Sequence, residues 1–252
     1  MAVIKSKGEL NMAHNQGKET QTFNFQRVEK KFWLTNLQYR EIMQAIEKHT
    51  EADSHGQGIL YNLYFDTEDY LLIRRSIERP NFKEKLRIRS YSPFAVDSSV
   101  FAEVKRKVEG VGYKRRCVLP FEERVKIMTG LPAENMNIQA REICLLGRRY
   151  GLEPKILLSY RRQAFYGKNN RDLRITFDSD IKFRQVGRDL SKTQTQKLPC
   201  KGDYLMEVKS GKGLPGWLLS ETERLKIYQS PFSKVGRRYE TILNNKNFKE
   251  AL

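Results

Sequence analysis

Lys83-Glu84-Lys85-Leu86-Arg87-Ile88-Arg89 places a cation at every second residue, with Glu84, Leu86 and Ile88 between them. Side chains alternate between the two faces of an extended strand, so this spacing stacks four cations on one face and an apolar pair on the other. At ~3.3 Å per residue the ladder of charge is about 20 Å long. Four like charges so close repel one another unless carboxylates or a polyanion lie along them. The stretch therefore predicts a strand whose polar face meets phosphate or interleaved acids.

The pattern recurs. Arg27, Glu29 and Lys31 alternate, as do Glu103, Lys105 and Lys107, then Arg174, Thr176 and Asp178, then Glu207 and Lys209. Val28, Phe32, Val104, Val108, Ile175, Phe177, Met206 and Val208 take the opposite faces. Two arrangements satisfy such strands. With the polar faces outward, the apolar faces form a sandwich core. With the polar faces inward, the sheet closes a barrel around a wet, basic, carboxylate-dotted lumen, and helices cover its apolar exterior. Periodicity does not choose between them.

At 252 residues the chain can bury a sizeable core in one large domain or two small ones. Lys plus Arg at 47 against Asp plus Glu at 30 leaves a net charge of +17. That balance argues for an anionic partner, whether nucleic acid, membrane surface or phosphate-rich substrate. Cys117, Cys144 and Cys200 are odd in number and lack metal-ligand spacing, which reads as reduced thiols of an intracellular protein. His14, His49 and His55 are too scattered for a metal centre. No run approaches the ~20 apolar residues of a membrane span, and no signal-like core opens the chain, so the expectation is a soluble cytoplasmic protein.

Residues 1–24 are polar and read as a flexible arm, 25–244 as one domain and 245–252 as a tail. Thr35-Asn36-Leu37-Gln38 is a capping box that opens a helix over about 36–48. Strands are predicted over 59–65, 83–91, 100–108, 113–119, 155–165, 173–177, 181–184 and 204–209. Asp66-Thr67 caps a short helix stopped by Pro80, residues 120–150 read as helix broken at Gly130-Leu131-Pro132, and Pro215-Gly216 opens an amphipathic helix carrying Trp217, Leu218, Leu225 and Tyr228. A last helix holds Tyr239, Ile242 and Leu243. The class is α+β.

R-V-E-K-K-F, L-Y-F-D-T, K-E-K-L-R-I-R-S-Y, F-A-E-V-K-R-K, Y-K-R-R, S-Y-R-R-Q-A-F, L-R-I-T-F-D, M-E-V-K and F-S-K-V-G follow in that order. The ordered set resembles the polyphosphate polymerase domain of the vacuolar transporter chaperone (VTC) family, one of the triphosphate tunnel metalloenzymes, over roughly residues 25 to 240. The resemblance implies an antiparallel eight-stranded β tunnel with an inward polar lumen, which is the second arrangement. It also implies transfer of the γ-phosphate of ATP onto a growing polyphosphate chain with a divalent metal, manganese or magnesium.

Carried onto this sequence, the resemblance implies catalytic roles for Arg87, Arg89, Lys31 and Lys105. Lys85, Lys107, Lys114, Arg115, Arg162, Arg174, Lys209 and Lys234 would bind substrate or product, and Glu207, Glu103 and Glu29 would hold metal. Glu207 is also open to a plainer reading, an ion pair with Lys209 or a neighbour. Phosphoryl transfer depends on charge neutralisation and in-line positioning, which such cations and a hard metal supply. The triphosphatase branch opens with Glu-x-Glu-x-Lys, whereas here the first position is Arg27, which favours polymerase over hydrolase. At the C-terminal loop Lys234 remains, but a second family lysine just before it is replaced by proline. The expected partners are ATP and inorganic polyphosphate, with no nucleic acid. Any membrane attachment would come from a separate partner.

Two other readings stay open: a tunnel hydrolase of tri- or polyphosphate, and a passive binder of polyphosphate or RNA. Tyr91, Tyr113, Tyr160 and Phe165 could stack on single-stranded nucleic acid, but no RNP, KH, zinc or P-loop signature accompanies them. On the tunnel reading, alanine at Arg87 or Arg89 is expected to reduce turnover greatly, leave the fold intact and even relieve charge repulsion.

Overall fold

The computed structural model describes residues 28–54, 56–78, 81–93, 100–109, 111–119, 137–186, 194–237 and 239–240. The expected N-terminal arm, the first half of the broken helix around 120–136 and the tail after 244 lie outside them.

Among the described residues ten strands form one antiparallel sheet: β1 (Val28–Leu34), β2 (Thr50–Ala52), β3 (Gly58–Asp66), β4 (Phe82–Ser90), β5 (Val100–Val108), β6 (Val111–Leu119), β7 (Glu153–Gly167), β8 (Arg174–Gln185), β9 (Gln196–Lys197) and β10 (Tyr204–Ser210). Eight of them run in the order β1-β10-β8-β7-β3-β4-β5-β6, while β2 pairs with β7 and β9 with β8. Among the described residues the sheet is not closed, which corrects the expected continuous barrel: β1 and β6 are its two ends. The free edge of β1 is taken locally instead, since Ser230 N donates to Lys31 O at 2.8 Å and Gln229 bridges Phe32.

The helices begin where local chemistry predicts. In α1 (Asn36–His49) Thr35 Oγ1 accepts from Gln38 N at 3.2 Å, and Gln38 Oε1 accepts from Thr35 N at 2.9 Å. Ahead of α2 (Leu71–Glu78) the fully buried Asp66 carboxylate accepts from the amides of Thr67, Leu72 and Ile73 at 2.8–2.9 Å, and Thr67 Oγ1 accepts from Leu71 N. Asn137 caps α3 (Ile138–Tyr150), which ends on Gly151 in the left-handed conformation, φ 59°. The helix α4 (Gly216–Arg224) stops before Leu225, leaving Tyr228 exposed rather than on an apolar helical face. The two strands expected over 173–184 are one, β8.

Two clusters cover one face of the sheet. Leu86, Ile88, Val104 and Cys117 pack under Ala140, Ile143 and Cys144 of α3. Phe32, Ile175, Phe177, Met206 and Val208 pack with Ile42 and Ile46 of α1 and Leu218 of α4. These are the apolar positions of the alternating strands, and helices lie over them. A third cluster, with Leu60, Tyr160 and Leu205, is met by Tyr70 before α2, Ile73 within it, and Val235 and Tyr239 near the C-terminus. Trp33, two residues beyond Lys31, packs on it, and Leu205 lies two residues before Glu207. The charged faces of β1 and β10 thus become apolar along the same face. No helix among the described residues is long and apolar enough to cross a membrane.

Candidate functional site

The polar faces of β1, β3, β4, β5, β6, β7, β8 and β10 border one cavity of about 380 Å³. Ten cations reach it from these strands: Lys31, Lys85, Arg87, Arg89, Lys105, Lys114, Arg116, Arg162, Arg174 and Lys209. Lys234, at the start of a helical segment, is the eleventh, and Glu29 and Glu207 are the carboxylates. Strand alternation gathers these side chains on one face, and register decides which meets which.

Arg87 sits across from Tyr64 on β3 and from Glu103 on β5. Its Nε donates to Glu103 Oε2 at 2.8 Å and its Nη1 to the Tyr64 hydroxyl at 3.2 Å. Arg89, opposite Asn62, donates Nε to the Asn62 side-chain oxygen at 3.0 Å and also meets the Tyr91 hydroxyl. Across β7 and β8, Arg162 faces Asp178 and grips it with two hydrogen bonds of 2.6 and 2.7 Å. Lys234 Nζ lies 2.6 Å from the same fully buried aspartate and 3.1 Å from Glu207. Across β1 and β10, Lys31 pairs with Glu207 and Glu29 with Lys209.

These contacts set the protonation states. Burial pushes the Glu207 carboxyl up, but Lys234, Lys31 and Arg162 outweigh it and hold the acid well below the usual carboxylate range. Glu103 behaves alike: burial raises it, and Arg87, Arg89 and Lys114 bring it well below that range. Burial lowers the Lys234 ammonium, but Asp178 and Glu207 more than reverse this, so it stays charged. Both glutamates have folded-state values below their unfolded ones. Their stabilisation is therefore fully present above the ordinary carboxylate range, begins to fall there, and is lost as pH drops on through the lowered folded-state values. Calorimetry should show the melting temperature dropping progressively below about pH 5, and a constant value down to about pH 3 would contradict these pairings.

Most of the site residues read from sequence line the cavity: Lys31, Lys85, Arg87, Arg89, Lys105, Lys114, Arg162, Arg174, Lys209, Lys234, Glu29 and Glu207. Lys107 lines an adjoining pocket instead. Arg115 needs correction. It follows Lys114 on β6, so alternation turns it to the other face, where its Nε lies 3.7 Å from Glu142 of α3, and Arg116 takes the cavity position. Glu103 also lies outside the cavity lining; fully buried, it serves Arg87, Lys114 and Arg116. The expected three-carboxylate metal set is thus not assembled, and among the described residues no three His, Cys, Asp or Glu come together to hold an ion.

Sequence reading assigned no role to Tyr64, Arg116, Thr176 or Asp178. Parity on β6 was the available signal for Arg116. Asp178 was visible only as the third polar residue of an alternating strand.

A family model described as the VTC domain matches residues 26–242. No curated protein sequence matches the chain. Among solved structures, a candidate adenylate cyclase of Bacillus halodurans is 14% identical, with 82% of this chain and 93% of that one covered at a TM-score of 0.51, a likeness of fold. A candidate adenylyl cyclase of Hippeastrum, described as having a dominant triphosphatase activity, is 16% identical with 82% and 92% covered and a TM-score of 0.49.

Proposed function

The chain belongs to the VTC domain family, and from that membership we propose that it is a polyphosphate polymerase, moving the γ-phosphate of ATP onto a growing inorganic polyphosphate chain inside the cationic cavity. The observation that supports this reading best is the convergence of eleven cations from seven strands and one helical segment on a single cavity. That is a far greater positive charge than its two carboxylates offset. A polyanion is the ligand whose charge density fits.

Phosphoryl transfer asks little covalent chemistry of a protein and much positioning. Arg89 lines the cavity with its Nε held by Asn62, and its planar guanidinium suits the oxygens of a phosphate. Arg87, held on both sides, presents a charge fixed in place before ligand arrives, which costs no reorganisation during the reaction. Arg162 and Lys234, anchored together on Asp178, hold a second fixed pair of charges beside Glu207.

Glu207 and Glu29 suit a divalent cation of the magnesium or manganese kind, because such an ion takes one or two carboxylates and completes its shell with phosphate oxygens. The two acids sit close enough to share Lys31, at 3.9 and 3.0 Å. They fit an ion that arrives with the triphosphate, not a cage made of protein alone. When bound, the ion supplies further charge neutralisation on the transferring group.

Incubating the purified protein with ATP and either metal, and resolving the products on a gel, tests the proposal. Polyphosphate ladders are expected. Free phosphate alone would make the protein a hydrolase, and unchanged ATP a binder.

A further inference from the structure

A second pocket, of about 700 Å³, adjoins the cationic cavity and shares Glu29, Lys85, Lys105 and Ser233 with it. It too is lined by cations, Arg106, Lys201 and Arg237 among them, but it adds an apolar side. Trp33, Ile77 and Phe232, all half-buried, form an apolar wall with Pro199 and Pro231. Phe232 stands edge-on to Trp33 with ring centroids 4.7 Å apart, which fixes both rings. Lys83 and Lys107 continue the charged faces of β4 and β5 into the same pocket.

An inorganic chain, charged at every unit, gains nothing from such a wall. A molecule with a triphosphate at one end and a flat aromatic group at the other matches both compartments at once. Resting on the polymerase reading, we infer that the Trp33–Phe232–Ile77 wall is the binding site for the base of the nucleoside triphosphate. The phosphates then run past Lys85 and Lys105 into the cavity, and the terminal phosphate comes to lie deepest, towards Arg87 and Arg89. The wall therefore separates nucleotide from inorganic triphosphate as ligands. Any planar base can stack there, so adenine and guanine nucleotides bind comparably.

Titration calorimetry with ATP, GTP and inorganic triphosphate, on the wild type and on Phe232→Ala, tests this. The variant keeps the backbone carbonyl that accepts from Lys31 at 3.0 Å. Loss of one aromatic partner should weaken ATP and GTP about tenfold and leave triphosphate within about twofold. Equal weakening of all three ligands, or of none, overturns the inference while the polymerase reading stands. Failure of the wild type to bind any of them overturns both. Should Phe232→Ala fold poorly, Trp217→Phe leaves Trp33 as the only tryptophan of the two in the chain, with the pocket untouched. ATP should then change Trp33 emission and triphosphate should not, and an identical response to both ligands would overturn the inference.

Discussion

Arg87→Ala is expected to lower stability by about 3–5 kcal/mol, the usual cost of stripping one partner from a buried ion pair. Glu103 is fully buried, and Arg87 gives it the 2.8 Å hydrogen bond from Nε. Lys114 and Arg116 also approach it, at 3.0 and 3.5 Å, but both are much more exposed to water and compensate only in part. This reverses the expectation from sequence that removing a rung of the ladder leaves the fold intact or relieves it: the pairing is stronger than the repulsion. Turnover should disappear as well. The double variant Arg87→Met, Glu103→Leu separates the two effects, since an apolar pair can replace a buried ion pair with little loss. Its melting temperature should return close to wild type while activity stays absent. Full activity in that double variant would remove Arg87 from the reaction.

Glu207→Gln carries the second large effect, and it has two signs. The acid holds Lys234 at 3.1 Å, with Arg162 at 3.7 Å and Lys31 at 3.9 Å. Removing its charge leaves these cations for ligand, so inorganic triphosphate should bind more tightly when no metal is added. Metal-dependent turnover should nevertheless fall by about 10²-fold or more, the scale on which single preorganised electrostatic partners matter in such sites. Calorimetry without metal and rate measurements across a metal titration check both halves. An unchanged metal titration would make Glu207 only an ion-pair partner of the lysines.

Much of this architecture is legible in alternation. The period-two pattern of Lys85, Arg87 and Arg89 against Leu86 and Ile88 sorts the faces of β4, and the same rule sorts β1, β5, β8 and β10. The capping residues Thr35 and Asp66 mark where α1 and α2 begin, because unsatisfied amides at a helix start need an acceptor. Register is what alternation cannot supply. Nothing local in the sequence says that Arg87 stands opposite Glu103, or that Asp178 sits between Arg162 and Lys234, since these pairs depend on strands distant in the chain. For the same reason Glu103 reads as a metal ligand in sequence and proves to be the internal counter-ion of an arginine. Arg115 is a different case: strict alternation through Lys114 and Arg116 already excludes it from the cavity. Closure of the sheet leaves no periodic signature at all, and the segment at 229–230 that occupies the edge of β1 is irregular.

If the proposed function holds, the cations that line the cavity hold a short polyphosphate. Thermal unfolding with millimolar inorganic triphosphate at ~0.15 M salt measures this, because a ligand bound only by the folded state adds RT ln(1 + [L]/Kd), or about 2.7 kcal/mol at a hundred times Kd. A clear rise in melting temperature is expected for the wild type and for Arg115→Ala, whose side chain lies on the opposite face of β6, and the rise should be lost in Arg89→Ala. A shift that survives in Arg89→Ala and vanishes in Arg115→Ala, or one given by RNA oligomers but not by triphosphate, would contradict it.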